Sequence, residues 1–256
     1  MSILDRFRLD NRVAVVTGGN RGLGKEMSRS LAEAGAQVAI ISRKAEEAQA
    51  VAAELQAATG QTCRGYSCNM TNPEQVSATA NQILADFGQV DILVNNAGIN
   101  IRGPIEELSL DEFREVQETN VTGPWLLCRA LATHFKTRKA GRVINIGSTL
   151  SIVTMPNRTP YATSKGAVLQ MTRTLALEWA PYGVTVNCVM PGPFATEMNL
   201  PLINDPEAYK SFIARVPLGR WGNMDEIGGL IVFLAGDASS FITGAGITID
   251  GGWTVQ

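Results

Sequence analysis

The chain has 256 residues, 45% of them hydrophobic and 18% charged, with 22 basic against 24 acidic side chains. A formal charge of −2 gives no basic footprint, which excludes nucleic acid and anionic membrane surfaces as partners. A chain of this length buries roughly three-quarters of its unfolded surface without disulfide or metal, and one α/β domain over residues 1–256 accounts for it.

Taken in chain order, the start MSILDRFRLDNR mixes Asp5, Arg6, Arg8 and Asp10 into what a signal peptide would need as an apolar core. No apolar run approaches the ~18 residues of a membrane span, so a cytoplasmic protein is expected. Val13–Val16 is the first of several short Val- and Ile-rich runs, and it leads into Thr17-Gly18-Gly19-Asn20-Arg21-Gly22-Leu23-Gly24. Leu23, Met27, Leu31 and Ala34 then fall on one helical face that closes at Gly35. Further runs follow at Val38–Ile41, Thr62–Cys68 (weaker in pattern), Ile92–Val94, Val143–Ile146, Val184–Val189 and Ile247–Ile249. Asn72-Pro73-x-Gln75 predicts a helix start, with cap, first-turn proline and a reciprocal side chain. Ser109-x-x-Glu112 predicts another, ahead of one helix running to about Phe135. Short runs fit strands buried on both faces, and their alternation with helices predicts a doubly wound, Rossmann-type parallel sheet flanked by helices. The segment 191–222 has four prolines after Pro191 and a helical patch near Pro206–Ala214. It follows a strand, at the end of the sheet where ligands bind, and is expected to act as a lid.

Cys63, Cys68, Cys128 and Cys188 form no CxxC pair and read as free, buried thiols. The lone histidine, His134, excludes a multi-histidine zinc site, and no metal is expected. It reads as a helix-surface residue.

Glycines 18, 22 and 24 permit a tight turn and a close approach of backbone to ligand. The helix that follows offers free amides and a positive dipole end to a pyrophosphate. Between a buried strand and an amphipathic helix, this turn predicts dinucleotide binding through residues 17 to 24. Its TGxxxGxG spacing resembles the short-chain dehydrogenase/reductase family. Asn95-Asn96-Ala97-Gly98, Ser148, Tyr161-x-x-x-Lys165 and Pro191-Gly192-x-x-x-Thr196 follow in that family's order, so the resemblance covers the whole chain.

Charge separates the two nicotinamide coenzymes. NAD-specific folds usually carry an acid at the end of the second strand, where it binds the ribose hydroxyls. This chain has Ser42 there, followed by Arg43, with Arg21 in the glycine turn. A serine beside guanidinium groups suits a phosphate, so NADP (as NADPH in reduction) is the expected cofactor. The resemblance implies that Asn69, which replaces a common acid, meets the adenine amino group. It also implies that Met70 and the backbone of Asn96, Ala97 and Gly98 line the adenosine, and that Pro191, Gly192 and Thr196 hold the nicotinamide.

Tyr161 and Lys165 stand four apart, on one helical face. An ammonium about 4 Å from the phenol would favour the phenolate by up to ~4 kcal/mol, tuning the tyrosine toward neutral pH as a general acid or base. Ser148, on the loop after a strand, can donate to a carbonyl oxygen as charge develops. The resemblance adds Asn120, which in the family holds a water linking the lysine to solvent. It gives Lys165 a bond to the nicotinamide ribose.

The substrate pocket is expected to include Asn100, Arg102, Leu150, Asn157, Arg158, Phe194, Met198 and Leu202, beside Ser148. Two arginines and two asparagines suit a small polar or anionic carbonyl or alcohol substrate. Within the family the chain resembles sugar-acid oxidoreductases of the gluconate 5-dehydrogenase type and 3-oxoacyl-acyl-carrier-protein reductases. The carrier-protein alternative is weakened because Lys139 matches one of two basic positions beside the site and Tyr182 stands at the other. A non-catalytic NADP-binding sensor or scaffold is the alternative of another class, against which all four of Asn120, Ser148, Tyr161 and Lys165 are present. Family members are commonly homotetramers, built through the Asn120 and Tyr161 helices and the segment Ile247–Val255.

Overall fold

Branched side chains pack well on a pleated surface that is covered on both faces. Each Val- and Ile-rich run is a strand in the computed structural model, which describes residues 2–196, 199 and 203–255. The strands are β1 (Val13–Thr17), β2 (Gln37–Ser42), β3 (Cys63–Ser67), β4 (Ile92–Asn95), β5 (Gly141–Ile146), β6 (Val184–Pro191) and β7 (Gly246–Ile249). They form one seven-stranded sheet in the order β3-β2-β1-β4-β5-β6-β7, with every pair parallel. The chain reverses direction across the sheet between β1 and β4. A crevice opens there, beyond the carboxyl ends of the strands.

The helices are α1 (Gly22–Glu33), α2 (Ala45–Thr59), α3 (Pro73–Phe87), α4 (Leu110–Gln117), α5 (Gly123–Arg138), α6 (Thr159–Trp179), α7 (Pro206–Ile213) and α8 (Glu226–Ala235). Alternate strand residues face opposite layers. Ala14 and Val16 of β1 join Met27 and Leu31 of α1, Val51 and Leu55 of α2 and Ile227 and Ile231 of α8. Val15 faces the other way, toward Val76 and Ile83 of α3 and Leu127, Leu131 and Phe135 of α5. All four cysteines are free and buried, as expected.

Three local expectations need correction. Asn72 does cap α3, its side chain accepting from the Gln75 amide at 2.8 Å. The Gln75 side chain, however, accepts from the Asn69 amide at 2.9 Å, because the Asn72 N–H is already bonded to the Asn69 carbonyl. Ser109 and Glu112 form the predicted capping box, but the helix does not run unbroken to Phe135. A π-turn over Glu118–Thr122 separates α4 from α5, with the Gly123 amide reaching back to the Glu118 carbonyl. Pro124 has no N–H to continue the α-pattern, and a Cβ at Gly123 would lie 3.1 Å from that of Met70, so the wider turn also lets this backbone approach the β3–α3 loop. Third, His134 is half-buried, with Nε2 3.0 Å from the Val90 amide and 3.1 Å from its carbonyl. Burial lowers its pKa and favours the neutral ring.

Within the expected lid, α7 forms where the helical patch was predicted. Phe212 of α7 stacks on Trp221 at 4.8 Å, and Phe194 bridges to Gly222. Met198 and Leu202 lie outside the described residues.

Gly24 is the tightest point of the first turn. A Cβ there would stand 2.1 Å from the Gly18 carbonyl oxygen and 2.5 Å from Asn96 Nδ2. Gly229, inside α8, has open space around the same position. Gly24→Ala should therefore cost about 1–3 kcal/mol of stability, while Gly229→Ala should add about 0.5–1 kcal/mol. Urea unfolding of both variants checks the contrast.

Candidate active site

The carboxyl ends of β1, β2, β4, β5 and β6 border one cavity of about 700 Å³. At its first end the glycine turn is pinned to the β4 loop. Thr17 Oγ1 accepts from the Asn96 and Ala97 amides at 2.9 and 3.0 Å, and Asn96 Nδ2 donates to the Thr17 and Gly18 carbonyls. Thr17 is thus a buried pin behind the wall. Gly18, Asn20, Arg21, Gly22, Leu23 and Gly24 line the cavity itself. Gly18 and Gly22 take φ of +63° and +52°, and a Cβ on Gly22 would meet nothing within 4 Å. The turn is an open cradle at the start of α1, which is what a pyrophosphate needs.

At the end of β2, Ser42, Arg43 and Lys44 line the cavity beside Arg21. Ser42 Oγ donates to the Lys44 carbonyl at 2.6 Å, holding this turn. No acid occupies the strand end, so the cradle fits an NADP phosphate better than bare ribose hydroxyls. Asn69 and Met70 also line this region. Asn69 Oδ1 already accepts from the Thr71 amide and hydroxyl, at 3.2 and 3.0 Å. Its Nδ2, a donor, is the part left to meet an adenine, and suits a ring nitrogen rather than the amino group expected. Ala97, Gly98, Pro191, Gly192 and Thr196 complete the wall toward the centre.

Ser148, Tyr161 and Lys165 come together at that centre. Ser148 Oγ caps a 3₁₀ turn, accepting from the Leu150 amide at 3.1 Å. Lys165 Nζ is buried and donates to the Ile146 carbonyl at 2.7 Å. It lies over the Tyr161 ring, 5.6 Å from its centre. Burial pulls the ammonium down to about 8, which still leaves it mostly charged at neutral pH. Burial pushes the Tyr161 phenol up, opposed by a hydrogen bond with Ser148 and by the charge of Arg102. In the coenzyme-free protein, loss of water is the largest influence on the phenol, and the Lys165 ammonium directs one N–H to Ile146. Asn120 sits in the π-turn below the cavity wall. Its side chain accepts from the Ile99 amide at 2.8 Å and donates to the Ile99 carbonyl and Ser164 hydroxyl at 2.9 and 3.0 Å.

Arg102, Arg158 and Phe194 line the outer part of the cavity, as do Asn100 and Leu150. Burial lowers the pKa of Arg158, and the neighbouring Arg102 charge lowers it further. Asn157 contributes through its backbone, its carbonyl accepting from Arg158 at 2.9 Å.

Several residues escaped the sequence reading. Ser151 Oγ accepts from the Ser148 amide and donates to the Lys165 carbonyl at 2.8 Å, linking the serine loop to α6. Glu47, Met155, Phe212 and Trp253 also line the cavity. Trp253 could have been found, since Gly251-Gly252-Trp253 follows β7 and carboxyl ends of strands face the crevice.

A family described as "Enoyl-(Acyl carrier protein) reductase" matches residues 18–254. The chain is 38% identical to a 2-dehydro-3-deoxy-D-gluconate 5-dehydrogenase of Pseudoalteromonas atlantica, covering 98% of this chain and 99% of that one. It is 37% identical to a gluconate 5-dehydrogenase of Gluconobacter oxydans over 100% of both. A gluconate 5-dehydrogenase from Burkholderia cenocepacia, crystallised with NADP and tartrate, superposes with a TM-score of 0.96 at 38% identity over 100% of both chains.

A lysine with a depressed folded pKa binds fewer protons folded than unfolded, so the stability of the coenzyme-free protein should rise with pH between about 8 and 10.5. Compared with Lys165→Met, the wild type should gain on the order of 2 kcal/mol between pH 7 and pH 10, read by urea unfolding.

Proposed function

The chain belongs to the short-chain dehydrogenase/reductase family, and from that premise we propose an NADP-dependent enzyme that interconverts a secondary alcohol and its ketone on a small sugar acid. It is an oxidoreductase of CH–OH groups. The observation that carries the substrate class is the pairing of Arg102 with Arg158 on the cavity wall. Neither forms an ion pair with an acid among the described residues, and two adjacent guanidinium groups await an anion. The relatives named for gluconates, and the neighbour crystallised with tartrate, support a carboxylate-bearing substrate. NADP rests on Arg21, Arg43 and Lys44 around an acid-free strand end, and on the neighbour's bound NADP.

When bound, the nicotinamide supplies or accepts the hydride. Burial keeps the Tyr161 phenol protonated at neutral pH, ready to give its proton to a ketone oxygen. In the opposite direction the same oxygen, deprotonated, would take the alcohol proton. Ser148 donates to the developing oxyanion and orients the phenol. Lys165 places a positive charge under the ring and would bind the nicotinamide ribose. Asn120 holds the Ile99 loop and Ser164 in place, and through them the wall beside Lys165. Asn20, Leu23, Asn69, Met70, Pro191, Gly192 and Thr196 would hold the remainder of the coenzyme. Phe194 would border the substrate.

Four free, buried thiols suit a reducing cytoplasm. Trp125 on α5, Leu177 on α6 and Val255 at the end of the chain are large exposed apolar side chains, on the surfaces through which a homotetramer of this family would assemble. Tyr182 lies beneath Lys136, its ring centre 5.1 Å from the ammonium, and leaves the carrier-protein reading without its second basic position.

Tyr161→Phe keeps the packing and removes the transferable proton. It should lower kcat at least 1000-fold while NADPH affinity, read by fluorescence titration, changes less than about threefold. Retention of more than a few per cent of the rate would remove Tyr161 from the chemistry. Arg102→Ala should raise KM for 5-ketogluconate about 10- to 100-fold and leave an uncharged ketose nearly unaffected, since a charge-assisted bond contributes about 1.5–3 kcal/mol. Steady-state kinetics on the two substrates checks this.

A further inference from the structure

A carboxylate stands among the cations at the coenzyme end of the cavity. Glu47, in the first turn of α2, lines it together with Asn20, Arg21, Arg43 and Lys44. Its Oε2 accepts from Asn20 Nδ2 at 2.7 Å, and its Oε1 lies 2.7 Å from Lys44 Nζ. The Arg21 guanidinium also helps to hold its carboxyl below the usual range, after the larger effect of Lys44. One anionic group thus gathers an amide N–H and an ammonium, with a guanidinium nearby. A phosphate monoester takes the same set of donors.

We propose that Glu47 is a built-in competitor for the 2′-phosphate of the coenzyme, and so a specificity-determining residue. This rests on the NADP reading above. In the free protein Glu47 occupies Asn20 and Lys44. A 2′-phosphate must take these donors from it and then sit beside its negative charge. A 2′-hydroxyl makes no such demand. Glu47 therefore narrows the gap between NADP and NAD that the basic residues alone would set. The Glu47 and Lys44 side chains are 44% and 71% exposed, so the effect is modest and sensitive to salt.

Glu47→Gln keeps an oxygen for Asn20 and removes the charge. The test is calorimetric titration of coenzyme-free protein with adenosine 2′,5′-bisphosphate and with AMP, at about 50 and about 500 mM salt. Affinity of Glu47→Gln for the bisphosphate should rise roughly three- to tenfold at low salt, with AMP changing less than about twofold and most of the gain lost at high salt. Arg43→Leu, as the control, should weaken the bisphosphate and spare AMP. If the wild type binds the bisphosphate no more tightly than AMP, and Arg43→Leu changes nothing, the NADP reading fails and this proposal falls with it. If Arg43→Leu acts as expected but Glu47→Gln leaves the bisphosphate unchanged, or strengthens both ligands equally, Glu47 is not a competitor and the NADP reading stands.

Discussion

A thread of buried amides sets the height of α6 against the sheet. Asn95 and Asn145 face each other in the β4–β5 register, and Asn95 Nδ2 donates to Asn145 Oδ1 at 2.8 Å. Asn145 Nδ2 donates in turn to Thr172 Oγ1 at 2.9 Å, and that hydroxyl to the Val168 carbonyl at 2.8 Å. Polar side chains in a strand interior are costly unless bonded, so the thread tolerates one alignment of α6 and little else. Thr172 stands two turns beyond Lys165, on the same face of the helix. Holding it holds Lys165 beneath Ile146 and Tyr161 beside Ser148, with Ser151 tying the serine loop to the helix from the other side.

The cavity is positive at both ends although the chain as a whole is weakly acidic. Arg21, Arg43 and Lys44 stand at one end, Arg102 and Arg158 at the other, and Lys165 lies buried between them. Net charge therefore says little about what such a site attracts, because fields in a cleft are set by local charges and low-dielectric walls. Two anionic ligands meeting at one phenol is the arrangement these charges favour.

What was legible in the sequence was local in the chain. The glycine spacing, the Tyr161–Lys165 interval and the acid missing at Ser42 all depend on neighbours within a few residues, and each lies where expected. The strands were legible because their burial on both faces demands unbroken apolar runs. Residues whose role depends on distant partners were not legible. Glu47 reads as an ordinary acid in a first helical turn, Ser151 as a loop serine, and the half-burial of His134 requires Val90 from another element. The Tyr161 phenol shows the same limit. Its charged neighbours could be named from the chain, but the loss of water that outweighs them could not.

The π-turn at Glu118–Thr122 bears on how this chain can change by insertion and deletion. It holds one residue more than a regular helix would use, and removing a residue there would tighten the join toward α-geometry, with Pro124 left as a kink inside it. Such a change would relieve the wide turn. It would also rotate everything on one side of the join by about 100° relative to the other. Asn120 would swing away from Ile99 and Ser164, or α5 would turn its apolar face out of the core. Sequences that share this site are thus bound to keep the residue count between the Ser109 cap and α5, and a redesign that tightens the join would gain regularity while dismantling the wall beneath Lys165.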